Sequence, residues 1–236
     1  MRRFEGRHVV VTGAGTGIGA AIAGRLREEG ATVTGMARDA DRVRPHVDRA
    51  IACDIRDAAQ VEAAFGELEA PLYALVANAG IGGENRPGPD DRFADLVQTN
   101  VLGTYRTIRG ALGLEVERIV VTSSILARIG VPHYTGYSAS KAALLGLVRS
   151  FAVELAPRVQ VNAIVPGWVA TEMSWEGLDA IGPTREAAHE DAMRFVPMGR
   201  MTEPEEIAGT VAWLLSEEAR MVTGQAIDHN GGAWLG

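Results

Sequence analysis

The chain has 236 residues, of which 47% are hydrophobic and 22% charged, and its formal net charge is −7. Such a composition is that of an ordinary globular protein with enough chain to bury a sizeable core. The sequence pI of about 5.3 and the mixing of acidic with basic residues argue against a nucleic-acid-binding surface.

Three features indicate the compartment. The first residues, M-R-R-F-E-G-R, lack the apolar centre of a signal peptide. No apolar run approaches the roughly 18 residues that a membrane-spanning helix needs. Cys53 is the only cysteine, which excludes an intrachain disulfide and fits a reducing compartment. We therefore expect a cytoplasmic protein with neither a membrane nor a nucleic acid as partner.

Short β-branched and apolar runs alternate with helical patterns along the whole chain. The first helical pattern begins in a glycine-rich segment and ends at Gly30. In chain order, we predict strands at residues 8–12, 32–37, 50–53, 72–77, 118–122, 159–165 and 225–228, and helices at residues 17–29, 57–68, 92–112, 137–156 and 203–216. Near-continuously apolar strands that alternate with helices predict an α/β fold, a doubly wound parallel sheet of about seven strands.

The segment at residues 171–200 breaks this alternation. It lies between a predicted strand and a predicted helix and is too long for a simple connection, which is more typical of a functional lid. No composition shift, repeat or linker marks a second domain. We therefore predict one dinucleotide-binding catalytic domain over residues 1–236, with a substrate lid at about 171–200.

A glycine-rich loop follows the first predicted strand and opens the first predicted helix. Gly13, Gly17 and Gly19 have the spacing Gly-x-x-x-Gly-x-Gly, and Gly15 lies between them. Glycines at such a place let the backbone turn tightly and approach a pyrophosphate, which the amides at the helix N-terminus then bind. A plain tight turn is the alternative, but the strand–loop–helix context favours a dinucleotide site.

Tyr137 and Lys141 are one helical turn apart, so on a helix they share a face. An ammonium held beside a phenol favours the phenolate and lowers its pKa from the reference value of about 10, which makes Tyr a usable acid or base. Ser124, thirteen residues upstream, carries a hydroxyl that could bind a substrate oxygen. An isolated Tyr-x-x-x-Lys is more often a surface pair, and only the other motifs reverse that interpretation.

Together, the motifs run from end to end of the chain. They are Thr12-Gly-x-x-x-Gly-x-Gly19, Cys-Asp-Ile at 53–55, Asn-Ala-Gly at 78–80, Asn100, Ser124, Tyr137-x-x-x-Lys141, Pro-Gly at 166–167 with Thr171, and Ile-Asp-His-Asn-Gly-Gly at 227–232. In their order and spacing the chain resembles the short-chain dehydrogenase/reductase family, with similarity to its 3-oxoacyl reductase and carbonyl reductase members. Two residues depart from the family pattern: Ala77 replaces an Asn, and His229 replaces a small or aliphatic residue.

The resemblance implies a Rossmann-type fold and a set of site residues. The implied catalytic residues are Ser124, Tyr137, Lys141 and Asn100, with Tyr137 as acid/base and Asn100 as anchor of a proton relay. The implied cofactor contacts are Gly13, Gly15, Thr16, Gly17, Ile18, Gly19, Arg38, Asp54, Ile55, Asn78, Ala79, Gly80, Tyr137, Lys141, Pro166, Gly167, Val169 and Thr171. The expected substrate contacts are Ser124, Leu126, His133, Tyr134, Trp168, Met173 and Trp175, although Trp168, Met173 and Trp175 could equally form the core of the lid.

The choice between NADP and NAD depends on the end of the second strand. An acidic residue there pairs with the free 2′-hydroxyl of NAD, and a basic residue accommodates the 2′-phosphate of NADP. The family's usual acidic position falls on Ala37, and Arg38 follows, which favours NADP. Asp39 lies one residue further on, and Thr16 stands where many NADP-preferring relatives have Arg or Lys, so NAD remains the alternative.

The leading functional prediction is an NADP(H)-dependent oxidoreductase that interconverts a ketone, or a 3-oxoacyl group, and a secondary alcohol. The alternatives are an NAD-dependent alcohol dehydrogenase working oxidatively and a non-catalytic dinucleotide-sensing protein. The small-molecule carbonyl substrate itself is not specified by the sequence. The scattered histidines show no ligand spacing, so no metal is expected. By resemblance, we expect a homotetramer paired through the helices at 92–112 and 137–156.

Overall fold

The computed structural model describes residues 2–236, apart from the side chain of Ile181. Within this part of the chain, seven strands form one parallel sheet in the order β3-β2-β1-β4-β5-β6-β7. The strands are β1 His8–Thr12, β2 Thr32–Ala37, β3 Arg49–Ala52, β4 Ala74–Ala77, β5 Arg118–Thr122, β6 Gln160–Pro166 and β7 Ala226–His229. The predicted doubly wound parallel sheet is therefore confirmed.

Helices cover both faces of this sheet, as the near-continuously apolar strands require. The helices are α1 Gly17–Glu28, α2 Ala40–Val43, α3 Ala58–Gly66, α4 Phe93–Val97, α5 Thr104–Leu112, α6 Thr135–Leu155, α7 Glu172–Ile181, α8 Arg185–Met193 and α9 Pro204–Leu214. None of the helices in the described part of the chain is long and apolar enough to cross a membrane.

Two apolar cores lie on opposite faces of the sheet. Phe65, Ile108 and Leu144 bring α3, α5 and α6 onto one face. Ile22 and Ile207 bring α1 and α9 onto the other. Strand β5, with all five residues buried, contributes alternate side chains to both cores.

The strand order reverses direction between β1 and β4. Strand β1 pairs with β2 on one side and with β4 on the other, so the chain leaves β1 and β4 toward opposite faces. A crevice forms at such a switch point, at the carboxyl ends of the strands, and ligands of open α/β sheets bind there. The glycine loop after β1 and the Asn-Ala-Gly segment after β4 both lie at this crevice.

Two predicted segments differ from the structure in an informative way. The helix predicted at residues 92–112 is divided: α4 and α5 are joined by a widened, π-helical turn at Gln98–Gly103. The segment at residues 171–200 contains α7 and α8, which pack around a small apolar core of their own that includes Leu178 and Met193. Sequence periodicity does not reveal a single inserted residue, so a π turn reads as continuous helix.

Candidate functional site

The backbone of the glycine loop packs tightly against itself and against the residues that follow β4. Gly13 has a φ of +69°, and a Cβ there would lie 2.9 Å from the Cα of Ala79. A Cβ on Gly19 would lie 2.0 Å from the carbonyl oxygen of Gly13 and 2.6 Å from Asn78 Nδ2. No side chain fits at either position. The N-terminus of α1 is thereby left open to an anion, as a dinucleotide pyrophosphate requires.

Thr12 joins the two loops at the switch point. Its Oγ1 accepts hydrogen bonds from the backbone N–H groups of Asn78 and Ala79, each at 3.0 Å. Asn78 Nδ2 in turn donates to the Thr12 carbonyl oxygen at 3.2 Å. The predicted contacts Asn78 and Ala79 therefore hold the floor of the crevice, and a Cβ on Gly80 would lie 3.0 Å from Asn100 Oδ1 and 3.4 Å from Lys141 Nζ.

The loop after β6 closes the crevice from the other side. A Cβ on Gly17 would lie 3.0 Å from Thr171 Cγ2, so Thr171 stands directly over the glycine loop. Gly167 is equally close-packed, because a Cβ added to it would lie 3.0 Å from the Cα of Asn230. Pro166 is paired in register with His229, and Val169 forms an isolated bridge with Thr202. These contacts place the predicted cofactor segment Pro166–Thr171 beside the glycine loop.

Asn100 lies in the π-helical turn and is fully buried. Its Oδ1 accepts from Ile81 N at 2.9 Å, and its Nδ2 donates to the Ile81 carbonyl oxygen at 3.0 Å and to Ser140 Oγ at 2.9 Å. Ser140 Oγ donates to the Tyr137 carbonyl oxygen at 2.8 Å. The widened turn thus directs an amide toward α6, and its three bonds satisfy a group that would be costly to bury alone.

Ser124, Tyr137 and Lys141 meet between the end of β5 and the first turns of α6. Lys141 Nζ donates to the Thr122 carbonyl oxygen at 2.9 Å and lies 5.7 Å from the centre of the Tyr137 ring. Ser124 accepts from Leu126 N at 3.2 Å, which directs its hydroxyl at the start of a short 3₁₀ turn. Lys141 is also the only lysine in the chain.

Burial dominates the ionisation of this cluster. It lowers the pKa of Lys141 to about 8, because the charged ammonium is removed from water. It also raises the pKa of Tyr137 above its usual value, an effect that a hydrogen bond with Ser124 only partly opposes. Lys141 Nζ bonds to Thr122 in this arrangement, and burial sets the direction of the Tyr137 pKa shift. A phenol that keeps its proton can act as an acid.

Arg38 is exposed at the carboxyl end of β2, and it forms no ion pair within the described residues. Asp39, by contrast, caps α2: its Oδ1 accepts from Asp41 N at 3.0 Å and from Arg42 N at 3.4 Å, and its Oδ2 lies 3.8 Å from Arg42 Nε. The sequence did not reveal this capping role, because α2 is a single turn of four residues. Of the two side chains, Arg38 is the one left available to a ligand.

The predicted adenine contacts lie at the end of β3. The Asp54 carboxylate accepts from Arg56 Nη2 at 2.6 Å, and this guanidinium lowers the pKa of Asp54. Ile55 is buried against Gly103 of the π-helical turn. A Cβ added to Gly103 would lie 2.7 Å from Ile55 Cδ1. Of the remaining loop contacts, Thr16 is the exposed N-cap of α1, Ile18 packs on the apolar core, and a Cβ on Gly15 would lie 3.2 Å from Arg42 Cβ.

The predicted substrate contacts divide into two groups. Met173 lies beside Tyr137, since a Cβ on Gly82 would be 3.0 Å from Met173 Sδ and 3.8 Å from Tyr137 Cε2. The Tyr134 ring meets the Tyr137 ring edge-on at 6.4 Å. Leu126 is half-buried beside Ser124, and His133 is exposed in the turn before α6.

The two predicted tryptophan contacts lie just before and within the segment at residues 171–200. Trp168 and Trp175 both pack against the apolar core that includes Leu178. Trp175 also stacks on His189, with ring centres 5.6 Å apart, and Arg185 lies over its ring. These contacts support lid packing, one of the two interpretations left open by the sequence, and substrate contact stays a prediction.

Sequence reasoning missed one residue of this region. Asn85 is buried, and its Oδ1 accepts from Gly136 N at 2.7 Å, directly before Tyr137. Nothing in the sequence signals this contact, because the two residues are far apart in the chain and Asn85 lies in a polar loop. Within the described residues, no group of three or more His, Cys, Asp and Glu side chains could hold a metal ion.

Comparisons with known proteins bear on the same fold and motifs. A family model described as enoyl-(acyl carrier protein) reductase matches residues 13–233. The 3-oxoacyl-[acyl-carrier-protein] reductase FabG of Vibrio harveyi is 34% identical in an alignment of 248 positions. The alignment covers 98% of this chain and 99% of FabG. The chain is thus similar over its whole length to a known reductase.

Two solved structures are closely similar. Ligand-free aldohexose dehydrogenase of Thermoplasma acidophilum has a TM-score of 0.91 and 29% identity, with 98% of this chain and 95% of that chain covered. A variant of actinorhodin polyketide ketoreductase, determined with NADPH, has a TM-score of 0.90 and 33% identity, with 96% and 97% covered. Since the family model and these relatives span almost the entire chain, it belongs to the short-chain dehydrogenase/reductase family and is an NAD(P)-dependent oxidoreductase.

Proposed function

We propose that this chain is an NADP(H)-dependent reductase that converts a ketone, or a 3-oxoacyl group, into a secondary alcohol. The observation that carries the proposal is the meeting of a protonated phenol, a buried amine and a hydroxyl beside the glycine loop: Tyr137, Lys141 and Ser124. The names of similar proteins support the substrate class, since FabG is a 3-oxoacyl reductase and the actinorhodin enzyme is a ketoreductase.

Each polar group has a proposed task. A reduced nicotinamide, when bound, supplies the hydride, and the chain's own residues supply the proton and orient the carbonyl. Ser124 hydrogen-bonds the carbonyl oxygen, and Tyr137 gives its proton to that oxygen as negative charge develops. Lys141 binds the nicotinamide ribose and favours the phenolate that remains. Asn100 holds α6 through Ser140 and anchors the path by which the proton is replaced.

Three observations support binding of NADP by these residues. The glycine cradle leaves no room for side chains, Arg38 is exposed at the end of β2, and the Asp39 carboxylate is occupied in capping α2. The exposed guanidinium of Arg38 suits a 2′-phosphate better than a 2′-hydroxyl, and the Asp39 carboxylate beside it already accepts hydrogen bonds from α2. Asp54 and Ile55 would then contact the adenine, and Val169 and Thr171 would flank the nicotinamide.

The proposal extends to the assembly and to the segment at residues 171–200. We propose a homotetramer, because the π-helical turn, α5 and α6 expose apolar side chains: Leu102, Tyr105, Ala142, Ala143 and Val153. We propose that residues 171–200 act as the substrate lid within one catalytic domain, because Met173 lies beside Tyr137. We also propose a cytoplasmic location, for which the single cysteine is the argument.

The direct test is a panel of ketones and 3-oxoesters assayed with NADPH and with NADH, following the absorbance of the reduced nicotinamide. We expect turnover of at least one carbonyl and a preference for NADPH. Turnover with NADH alone, or binding of NADPH without reduction of any carbonyl, would contradict the proposal.

A further inference from the structure

Helix α6, which carries Tyr137 and Lys141, begins without a cap from its own sequence. The residue before its first turn, Tyr134, makes no side-chain capping bond. The first N–H groups of a helix have no partner within it and need one from elsewhere. Gly136 N finds one in Asn85 Oδ1 at 2.7 Å, and Thr135 Oγ1 donates to the same oxygen at 3.2 Å. Asn85 thus caps α6 from a separate loop.

The other polar atoms of Asn85 tie it to two more elements. Its backbone N–H donates to the His133 carbonyl oxygen at 2.8 Å, in the turn before α6. Its Nδ2 donates to Asp91 Oδ1 at 3.1 Å, and that oxygen also accepts from Phe93 N at 3.0 Å, at the start of α4. Asn85 is 6% exposed, so these bonds compete little with water. It therefore fixes the preceding turn, the helix start and α4 to one another.

The fit around this cap is tight. A Cβ on Gly136 would lie 3.1 Å from Asn85 Oδ1 and 3.2 Å from the Cα of Phe93. His133 has a φ of +65°, a conformation that is uncommon for residues other than glycine. Tyr137 directly follows Gly136, so a small shift of the helix start moves the phenol.

The loop that carries Asn85 also reaches the other site residues. It begins at Ile81, whose N–H and C=O both bond to Asn100. Its next residue, Gly82, lies against Met173 and beside the Tyr137 ring. The loop after β4 therefore runs from the Asn100 anchor, past the phenol, to the cap of α6.

We propose that Asn85 is a positioning residue for Tyr137. It sets where the phenol stands relative to Ser124 and Lys141 without touching the reacting atoms. The kinetic consequence rests on the proposed function, whereas the structural consequence does not.

The kinetic test compares Asn85→Ala with Asn162→Ala, using NADPH and ethyl 3-oxobutanoate, a simple 3-oxoester. Asn162 is the matched control, because it is also buried and bonds to the Val222 carbonyl oxygen at 2.7 Å and to Gln225 N at 3.0 Å. Displacing a reacting group by about 1 Å can cost about 100-fold. We expect kcat of Asn85→Ala to fall about 10- to 100-fold, with the KM for NADPH unchanged. Equal loss of kcat in both variants would overturn the proposal.

A charge-exchanged pair separates positioning from general damage. Asn85→Asp keeps the oxygen that accepts from Gly136, but it places a second carboxylate against Asp91. Adding Asp91→Asn removes this repulsion and supplies an amide that can donate to the new carboxylate, although an amide in that place gives up the bond from Phe93 N. We expect kcat of the double variant to exceed that of Asn85→Asp. A double variant no better than Asn85→Asp would contradict the proposal.

Hydrogen exchange tests the same idea without any substrate. In Asn85→Ala the Gly136 amide loses its partner, and we expect its exchange to become roughly fivefold faster, as the loss of one hydrogen bond predicts. In Asn162→Ala the peptide that contains Gly136 and Tyr137 should exchange as in the parent. If the parent reduces no carbonyl while this effect is seen, the proposed function fails and the positioning role stands. Unchanged exchange at Gly136 overturns the positioning role.

Discussion

At the scale of single residues, the proposed chemistry depends on a phenol that holds its proton until a substrate oxygen takes it. Removing only the hydroxyl, by Tyr137→Phe, leaves the ring packing in place. General acid catalysis contributes about 10²–10⁴-fold, so we expect turnover to fall by that factor. NADPH affinity, measured by fluorescence titration, should be nearly unchanged. Tyr105→Phe is the control, because it removes a phenol hydroxyl from a ring that stacks on Phe151. Near-normal turnover of Tyr137→Phe would show that another group is the acid.

The buried ammonium of Lys141 gives a prediction about stability. Its pKa falls from 10.5 to about 8 on folding, so between these values the unfolded chain binds more protons than the folded one. Stability conferred by this group therefore rises with pH across that window, by about 3 kcal/mol. Urea unfolding of the parent and of Lys141→Met should show this difference, with the variant lacking the rise. Parallel curves from pH 8 to 10.5 would contradict burial of the charge.

Arg38 gives a prediction about cofactor choice. A guanidinium facing a phosphate is worth roughly 1.5–3 kcal/mol, so Arg38→Leu should raise the KM for NADPH by about one to two orders of magnitude. Ala37→Asp should shift preference toward NADH, because a carboxylate repels the 2′-phosphate and accepts from a 2′-hydroxyl. Arg44→Leu is the matched control, since Arg44 is exposed and forms an ion pair with Asp41. Unchanged KM for both cofactors in Arg38→Leu would show that Arg38 faces solvent.

At the scale of elements, two glycines of α1 differ in what surrounds them. A Cβ at Gly19 would lie 2.0 Å from the Gly13 carbonyl oxygen, whereas a Cβ at Gly24 would meet nothing within 4 Å. Gly19→Ala should therefore displace the glycine loop and abolish NADPH binding in calorimetry. Gly24→Ala should bind NADPH normally and stabilise the chain by about 0.5–1 kcal/mol, because Ala is the better helix former. Equal NADPH affinity in the two variants would contradict the proposed cradle.

Local patterns and distant contacts were not equally predictable from the sequence. The sequence predicted the seven strands and the shared helix face of Tyr137 and Lys141, because hydrophobic periodicity and helical repeat are properties of neighbouring residues. The bond between Asn85 and Gly136 was not predictable, since it depends on how two separate loops meet. The rise of the Tyr137 pKa by burial was not predictable for the same reason, because burial of the phenol is a property of the packed site. The π-helical turn around Asn100 was not predicted, because a turn widened by one residue does not change the composition of the helix.

At the scale of the whole molecule, the proposed assembly depends on the exposed face of α6. Ala142 and Ala143 lie on that face, and a large charge there would block close approach of a second copy. We expect sedimentation to give a mass near four chains for the parent and a smaller assembly for Ala142→Arg. Ala63→Arg, at an exposed position of α3, is the control and should leave the mass unchanged. A parent that sediments as a single 25.1 kDa chain at micromolar concentration would contradict the tetramer.

The use of arginine for every basic side chain but one has a practical consequence. Amine-directed chemistry, such as reductive methylation with ¹³C-formaldehyde, has Lys141 as its only side-chain target. The resulting dimethylamine would give one NMR resonance from the centre of the proposed site, with a chemical shift that follows the protonation of that nitrogen. The same rarity warns against coupling the protein to amine-reactive supports or dyes, since reaction at a lysine side chain would modify a residue of the proposed site.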